Sequence, residues 1–291
     1  MDFSFHRYLL TKKSVDDRAL NKDVLSALKA NMPDGPLSIT EVGGGIGTMV
    51  ARLLEWNVIS QAEYTLVDGM PENIEFAQEW LPKWGKEHGM KVEYTSDGLR
   101  MVSDSKALRL RLVGVDVFDF VARDPTPADL LIAHAFLDLL PMPESLSKLL
   151  TLTKDLAWLT INFDGVTAFE PPIDQELDTQ IERLYHETMD TRLGGGDSLT
   201  GRHLFGYLKQ VGAEIEAAGS SDWVVHPVGG SYPHEEAYFL QSILHFFEES
   251  VGNHPAINKV AFTNWLQKRR DQVTRGELVY IAHQMDFLAR K

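Results

Sequence analysis

The sequence contains no cysteine. That excludes a disulfide framework and any metal site built on thiolates. Basic residues are few beside acidic ones: 28 Lys and Arg stand against 42 Asp and Glu, a formal net charge of −14. A general nucleic-acid binder needs a basic surface to meet phosphates, so nucleic acid is not an expected partner. No apolar run reaches the length of a bilayer span, and no membrane partner is expected. The start, Met1-Asp2-Phe3-Ser4-Phe5-His6, lacks a charged head followed by an apolar core, so a soluble cytoplasmic protein is expected. The 291 residues, 44% of them hydrophobic, suffice for one large α/β domain with insertions.

What is present is concentrated in one stretch. Thr40-Glu41-Val42-Gly43-Gly44-Gly45-Ile46-Gly47-Thr48 follows a β-like run and opens an apolar helical segment. Glycines at alternate positions after an acid give Glu-x-Gly-x-Gly-x-Gly. Such a strand–turn–helix uses glycine where the chain turns tightly and where backbone approaches a ligand. The free N–H groups at the helix start suit an anionic group. Tyr64-Thr65-Leu66-Val67-Asp68 reads as a buried strand ending in an acid, about twenty residues past the glycines, where an acid reaches ribose hydroxyls. A dinucleotide fingerprint starting at Gly43 or Gly45 would need Gly or Ala at Thr48 or Val50, and both registers fail.

The periodicity predicts a helix over 15–32, strands over 37–42 and 63–68, helices over 47–56 and from Pro71, and a hairpin-like insertion over 91–115. Further strands are expected at 128–133, 156–163, near 211–226 and at 278–290. Amphipathic helices are expected at 174–189, 200–211, 235–251 and 256–272. Leu193 to Ser198 reads as a flexible connection. Lys268-Arg269-Arg270 reads as a solvated helix face. Strands separated by helices imply parallel βαβ units, with ligands outside the carboxyl ends of the strands. Glu41, Gly43, Asp68, Asp116, His134 and Asp164 all fall at such ends.

With the glycine motif and Asp68 in place, the chain resembles the class I S-adenosylmethionine-dependent methyltransferases. The resemblance implies an α/β fold: a doubly wound, seven-stranded, mostly parallel sheet in a single domain, 1–291. Residues 1–35 would form an N-terminal helical cover, 37–165 the cofactor core, and 166–202 with 235–275 helical insertions closing a substrate lid. It implies S-adenosylmethionine as cofactor, S-adenosylhomocysteine as product and a small-molecule acceptor methylated on O or N.

The backbone of Gly43, Gly45 and Gly47 would face the cofactor's aminoacyl part, and Glu41 would act around its aminoacyl or ribose end. Asp68, followed by Gly69, would take the ribose hydroxyls, Met70 would pack on the adenine, and Asp116-Val117, or Asp119 if the strand ends a few residues later, would meet its amino group. Arg18 or Tyr8 would meet the cofactor carboxylate, as a guanidinium matches a carboxylate in two bonds. His134 would line the cofactor pocket or act as general base, because histidine titrates near neutrality. Tyr185, His186, Arg192 and Arg202 would touch substrate from the lid. Asp138, Asn162 and Asp164 have no diagnostic metal-ligand spacing, and no metal is expected. A homodimer is left open. Two rivals stand: an NAD-dependent oxidoreductase on a Rossmann-like fold, and a non-catalytic protein that keeps the cofactor site.

Overall fold

The computed structural model describes residues 3–192 and 194–291; Met1, Asp2 and Leu193, which begins the expected flexible connection, lie outside the described residues. Helices α1 (Phe5–Ala19) and α2 (Lys22–Asn31) precede β1 (Leu37–Val42), α3 (Thr48–Glu55), β2 (Gln61–Asp68) and α4 (Pro71–Glu87). Then come β3 (Lys91–Thr95), β4 (Gly98–Val102), β5 (Ala107–Gly114), α5 (Val117–Val121), β6 (Ala128–His134), α6 (Glu144–Leu149) and β7 (Thr153–Glu170). The last third holds α7 (Gln175–Asp190), α8 (Thr200–Gln210), β8 (Glu214–Ser220), β9 (Trp223–Val225), α9 (Glu236–Val251), α10 (Lys259–Thr274) and β10 (Val279–Arg290).

The sheet has ten strands rather than seven, in the order β3-β4-β5-β2-β1-β6-β7-β10-β8, with β9 also on β10. The neighbours from β5 to β7 run parallel, and β10 is antiparallel to β7 and to β8. The three extra strands have local causes. The β3–β4 hairpin extends the sheet beyond β5 through antiparallel pairing. The expected strand near 211–226 is broken at Ser221-Asp222, where Ser221 N–H and Gln284 C=O bond at 2.8 Å, so β8 and β9 pair with successive parts of β10. Strand β1, apart from Ser38, and β6, apart from Asp129, are buried, as central strands covered on both faces must be. One apolar core lies under Val15, Val24, Leu53, Leu81, Phe239 and Trp265, and another under Phe120, Leu146, Leu204 and Leu208.

The N-terminal helical region begins earlier than its periodicity suggests and is split. Helix α1 starts after Ser4, whose hydroxyl accepts from Arg7 N–H at 3.4 Å. The chain breaks at Leu20-Asn21, and the Asn21 side chain caps α2 by accepting from Asp23 and Val24 N–H. The buried face of α1 carries Lys12 and Asp16 among apolar residues, which hides the helical stripe. No helix among the described residues is long and apolar enough to cross a membrane.

The basic run in α10 also differs from expectation. Lys268 is exposed, but Arg269 is 0% exposed, because it continues the buried stripe Phe262, Trp265, Leu266 and Val273. Its guanidinium bonds Asp178 of α7 at 2.6 Å and the carbonyls of Phe169 and Pro171. Removing one partner of a buried pair strands the other charge. Asp178→Ala is therefore expected to cost about 3–5 kcal/mol. The exposed pair Arg183–Glu187 should contribute no more than about 0.5 kcal/mol. Urea unfolding of the two variants checks this; equal losses would show that Arg269 is not held by Asp178.

Candidate functional site

The sheet reverses its direction of growth at β1, which pairs with β2 on one side and β6 on the other. Carboxyl ends diverge at such a switch point and leave a crevice. The glycine loop lies there. Gly43, Gly45 and Gly47 all have positive φ, at +63°, +54° and +83°. At Gly43 an added Cβ would run into the Phe136 ring, so both φ and space require glycine. At Gly45 it would meet only Leu9, at 3.4 Å, so this part of the loop stays open towards the cavity. Gly47 begins α3 and faces Leu66 and Leu81 instead.

Asp68, at the end of β2, organises the crevice. One carboxylate oxygen accepts from Gly45 N–H at 2.7 Å; the other accepts from Met70 N–H and the Asn73 amide, each at 2.9 Å. The first turn of α4 and the glycine loop are thus locked to one side chain. The Asn73 Oδ1 atom is buried and has no partner among the described residues. Glu41, at the end of β1, is buried and accepts from the Tyr64 hydroxyl at 2.8 Å. Burial pushes its pKa up to about 8, although the Tyr64 bond and Arg52 oppose the shift.

These groups form one end of a cavity of about 660 Å³. Helix α1 contributes Phe5, Tyr8, Leu9, Lys12 and Asp16, and the end of β6 with the chain after it contributes His134, Ala135, Phe136 and Asp138. The far wall comes from β7, α7, α9, β9 and β10, including Phe163, Tyr185, Phe246, Trp223 and Gln284. A buried polar cluster joins these elements. Asp16 accepts from Lys12 at 2.6 Å, His134 Nε2 at 2.9 Å and the Trp223 indole at 2.9 Å. Burial alone would raise Asp16, but Lys12, His134 and Arg52 outweigh it and hold it well below the usual carboxylate range. Burial pulls His134 down to about 4 against the opposing pull of Asp16. The ring is then neutral near pH 7: Nε2–H donates to Asp16, and Nδ1 accepts from the Thr160 hydroxyl at 2.8 Å.

The cavity therefore brings together Tyr8, Glu41, Gly43, Gly45, Asp68, Gly69, Met70, His134, Tyr185 and Arg192. The other expected residues lie elsewhere. Arg18 turns out to pair with Glu236 of α9. Arg202 clamps Asp164 through its guanidinium, and Asn162 donates to the Met285 carbonyl. His186 lies in a separate surface cleft, 3.1 Å from the Thr167 hydroxyl. Asp116 is exposed and caps α5, with its Cα near Gly69, while Val117 packs into the second core. Among the described residues no three His, Asp or Glu side chains group as metal ligands do. Sequence reasoning gave no prominence to Asn73 or Lys12, or to Asp138 beyond its loose availability to a metal. Asn73 stands two residues past Pro71, within reach of a strand-end acid, which is the signal available for it.

No protein-family model matches the chain, and no curated protein matches it. Solved structures do. A Bacillus halodurans protein assigned as a methyltransferase aligns with a TM-score of 0.50 at 11% identity, over 93% of this chain and 99% of that one. YjhP from E. coli aligns at 0.49 and 13% identity over 97% and 98%. A Thiobacillus denitrificans SAM-dependent methyltransferase, solved with S-adenosyl-L-homocysteine, aligns at 0.47 and 10% over 99% of each chain. The first of these matches, with the sheet order above, shows that this chain has the class I methyltransferase fold.

Glu41 gives a pH dependence with a definite sign. In the folded chain it keeps its proton to about pH 8, against an ordinary 4.5. Its contribution to stability is therefore fully present below the ordinary value and is lost as pH rises through the folded one. Glu41→Gln should gain stability relative to wild type on moving from about pH 5 to about pH 8.5. Chemical unfolding at both ends checks this; parallel stabilities would mean that Glu41 is already ionised in the folded protein.

Proposed function

We propose that the protein transfers a methyl group from S-adenosylmethionine to an O or N nucleophile of a small molecule. One observation carries the reading. In a class I methyltransferase fold, the open face of Gly45, the Asp68 carboxylate that fixes it and the buried Glu41 all line one cavity. The residues fit such a ligand. The loop leaves room for backbone contact at Gly45. Asp68 keeps acceptor capacity beyond its three internal bonds, and the unpartnered Asn73 Oδ1 offers another acceptor for hydroxyls. Glu41 suits an ammonium group, whose charge would favour its ionised form. Met70 gives the rim an apolar edge for a flat base.

The sulfonium donor supplies the reactive methyl group and the driving force. What remains for the chain is to align the acceptor, exclude water and receive a proton. Helices α1, α7 and α9 wall the cavity and serve as its cover in this reading. His134 binds Asp16 and Thr160 through its two ring nitrogens, so here it positions α1 rather than acting as a free base.

Calorimetry should show binding of S-adenosylmethionine and S-adenosylhomocysteine, and none of NADH. Asp68→Ala should weaken the first two by about 1.5–3 kcal/mol, roughly 10- to 150-fold. Gly45→Val should fold but not bind, since it adds a branched side chain at positive φ on the ligand face. Normal binding by both variants would remove the cofactor from this loop.

A further inference from the structure

Beyond the glycine loop the same cavity runs past the end of β6 to a carboxylate with one oxygen that no described residue satisfies. Asp138 sits in the 3-10 turn Leu137–Leu139, and its Oδ1 atom is buried with no hydrogen-bond partner among the described residues. Across the cavity, Gln284 of β10 is 2% exposed, and its Oε1 is likewise unpartnered. Buried acceptors left empty are costly, and native structures keep few of them without a reason. We infer that Asp138 is the general base for the acceptor, and that the acceptor is an aromatic ring carrying a neutral O–H or N–H nucleophile. This rests on the methyl-transfer reading above and adds to it the class of acceptor and the fate of its proton.

The surroundings of Asp138 narrow the class. Lys12 is bound to Asp16, and Arg192 lines the cavity from an exposed position. Asp197 is held by Leu199 N–H and His203. The hydroxyls of Tyr8 and Tyr185 are raised in pKa chiefly by burial and in part by the charge of Asp138, and both side chains line the cavity. A carboxylate nucleophile would bring no proton for Asp138 to accept and would meet it as a like charge. An aliphatic ammonium would pair with Asp138, and the pairing would stabilise the protonated form that has no lone pair for attack. A neutral aromatic O–H or N–H avoids both difficulties. It donates to the empty oxygen, and its ring meets Phe136, Phe163, Tyr185 and Phe246 on the cavity wall.

The step balances. The nucleophile's lone pair forms the new O–C or N–C bond, the sulfonium C–S bond breaks, and sulfur keeps that electron pair. The proton passes to the Asp138 carboxylate and then to solvent. Burial raises Asp138 to about 6, with its own backbone N–H, Arg192 and Lys12 opposing the shift and Asp197 adding to it. A base of that pKa is ionised at neutral pH.

The test compares wild type, Asp138→Asn and Asp138→Glu. S-adenosylhomocysteine binding is measured by calorimetry, and tritium transfer from labelled S-adenosylmethionine is measured to 4-ethylphenol, 4-ethylaniline, cyclohexylamine and cyclohexanecarboxylate. Wild type should methylate an aromatic probe, and its kcat should fall below about pH 6. Asp138→Asn should bind S-adenosylhomocysteine within about threefold of wild type, which also shows that it folds. Its kcat should drop about 100-fold or more, and the acid limb should vanish. Asp138→Glu should keep the acid limb and recover part of the rate. The inference is overturned if Asp138→Asn turns over normally, if only the aliphatic probes react, or if a wild type that binds S-adenosylhomocysteine methylates neither aromatic probe. A wild type that fails to bind S-adenosylhomocysteine overturns the methyl-transfer reading itself, and this inference with it.

Discussion

The buried Asp16 carboxylate is the constraint on which the cavity depends. It lies on α1, yet its partners come from β6 through His134 and β9 through Trp223, as well as from Lys12 one turn earlier. Arg52 of α3 approaches it at 3.8 Å and bonds the neighbouring Asp17. A carboxylate taken out of water alone would cost several kcal/mol, so α1 can settle here only where these donors already converge. An N-terminal helix joined to the sheet only through α2 is thereby fixed across the strand ends, with Tyr8 and Leu9 lining the cavity. The glycine-loop end of the cavity is locked in the same way by Asp68.

Backbone strain gathers at the same edge. Ala135 and Ile161 hold φ of +51° and +55°, and both line the cavity. A β-branched residue in that region is unusual, and such conformations cost on the order of 1–3 kcal/mol each. Each is pinned by a hydrogen bond: Ala135 N–H donates to the Thr160 carbonyl, and Ile161 N–H to Asp286. Asp286 also accepts from Asn21 N–H, so the junction between α1 and α2 and the distorted part of β7 share one acceptor. The pairing of β6 with β7 stops at His134 and Thr160, beside these two residues, and the register of β7 on β10 shifts there.

Much of this was legible in the sequence, for reasons that can be named. The glycine loop and Asp68 announce themselves because φ above zero and a strand-end acid restrict residue type at fixed spacing. Strands β1 and β6 show as short, largely apolar runs because both their faces are covered, and β2 does so only in its buried second half. Helix α1 was half hidden because Lys12 and Asp16 sit in its buried stripe and satisfy each other. Arg269 lies inside because the helical period of α10 buries only the middle one of three consecutive basic residues, which the charge run by itself does not reveal. Asp138 could not be singled out, since its importance lies in the absence of a partner. The pairing of Arg18 with Glu236 depends on where α9 docks, and no local pattern encodes that.

The two margins of the sheet have a consequence for how the molecule behaves in a crowd. Open strands invite other chains to extend them. Strand β5 would be such a margin, but the β3–β4 hairpin covers it and ends the sheet in a five-residue strand bearing Lys91 and Glu93, with Tyr94 turned to solvent. On the other side β8 is short, carries Glu214 and Glu216 and is interrupted before β9, while Asn21 holds its last carbonyl. Both margins are brief, charged and partly occupied. The insertions that make this sheet wider than seven strands thus also make it a poor template for strand recruitment, which leaves the apolar strands between them free to be as continuous as the cavity requires.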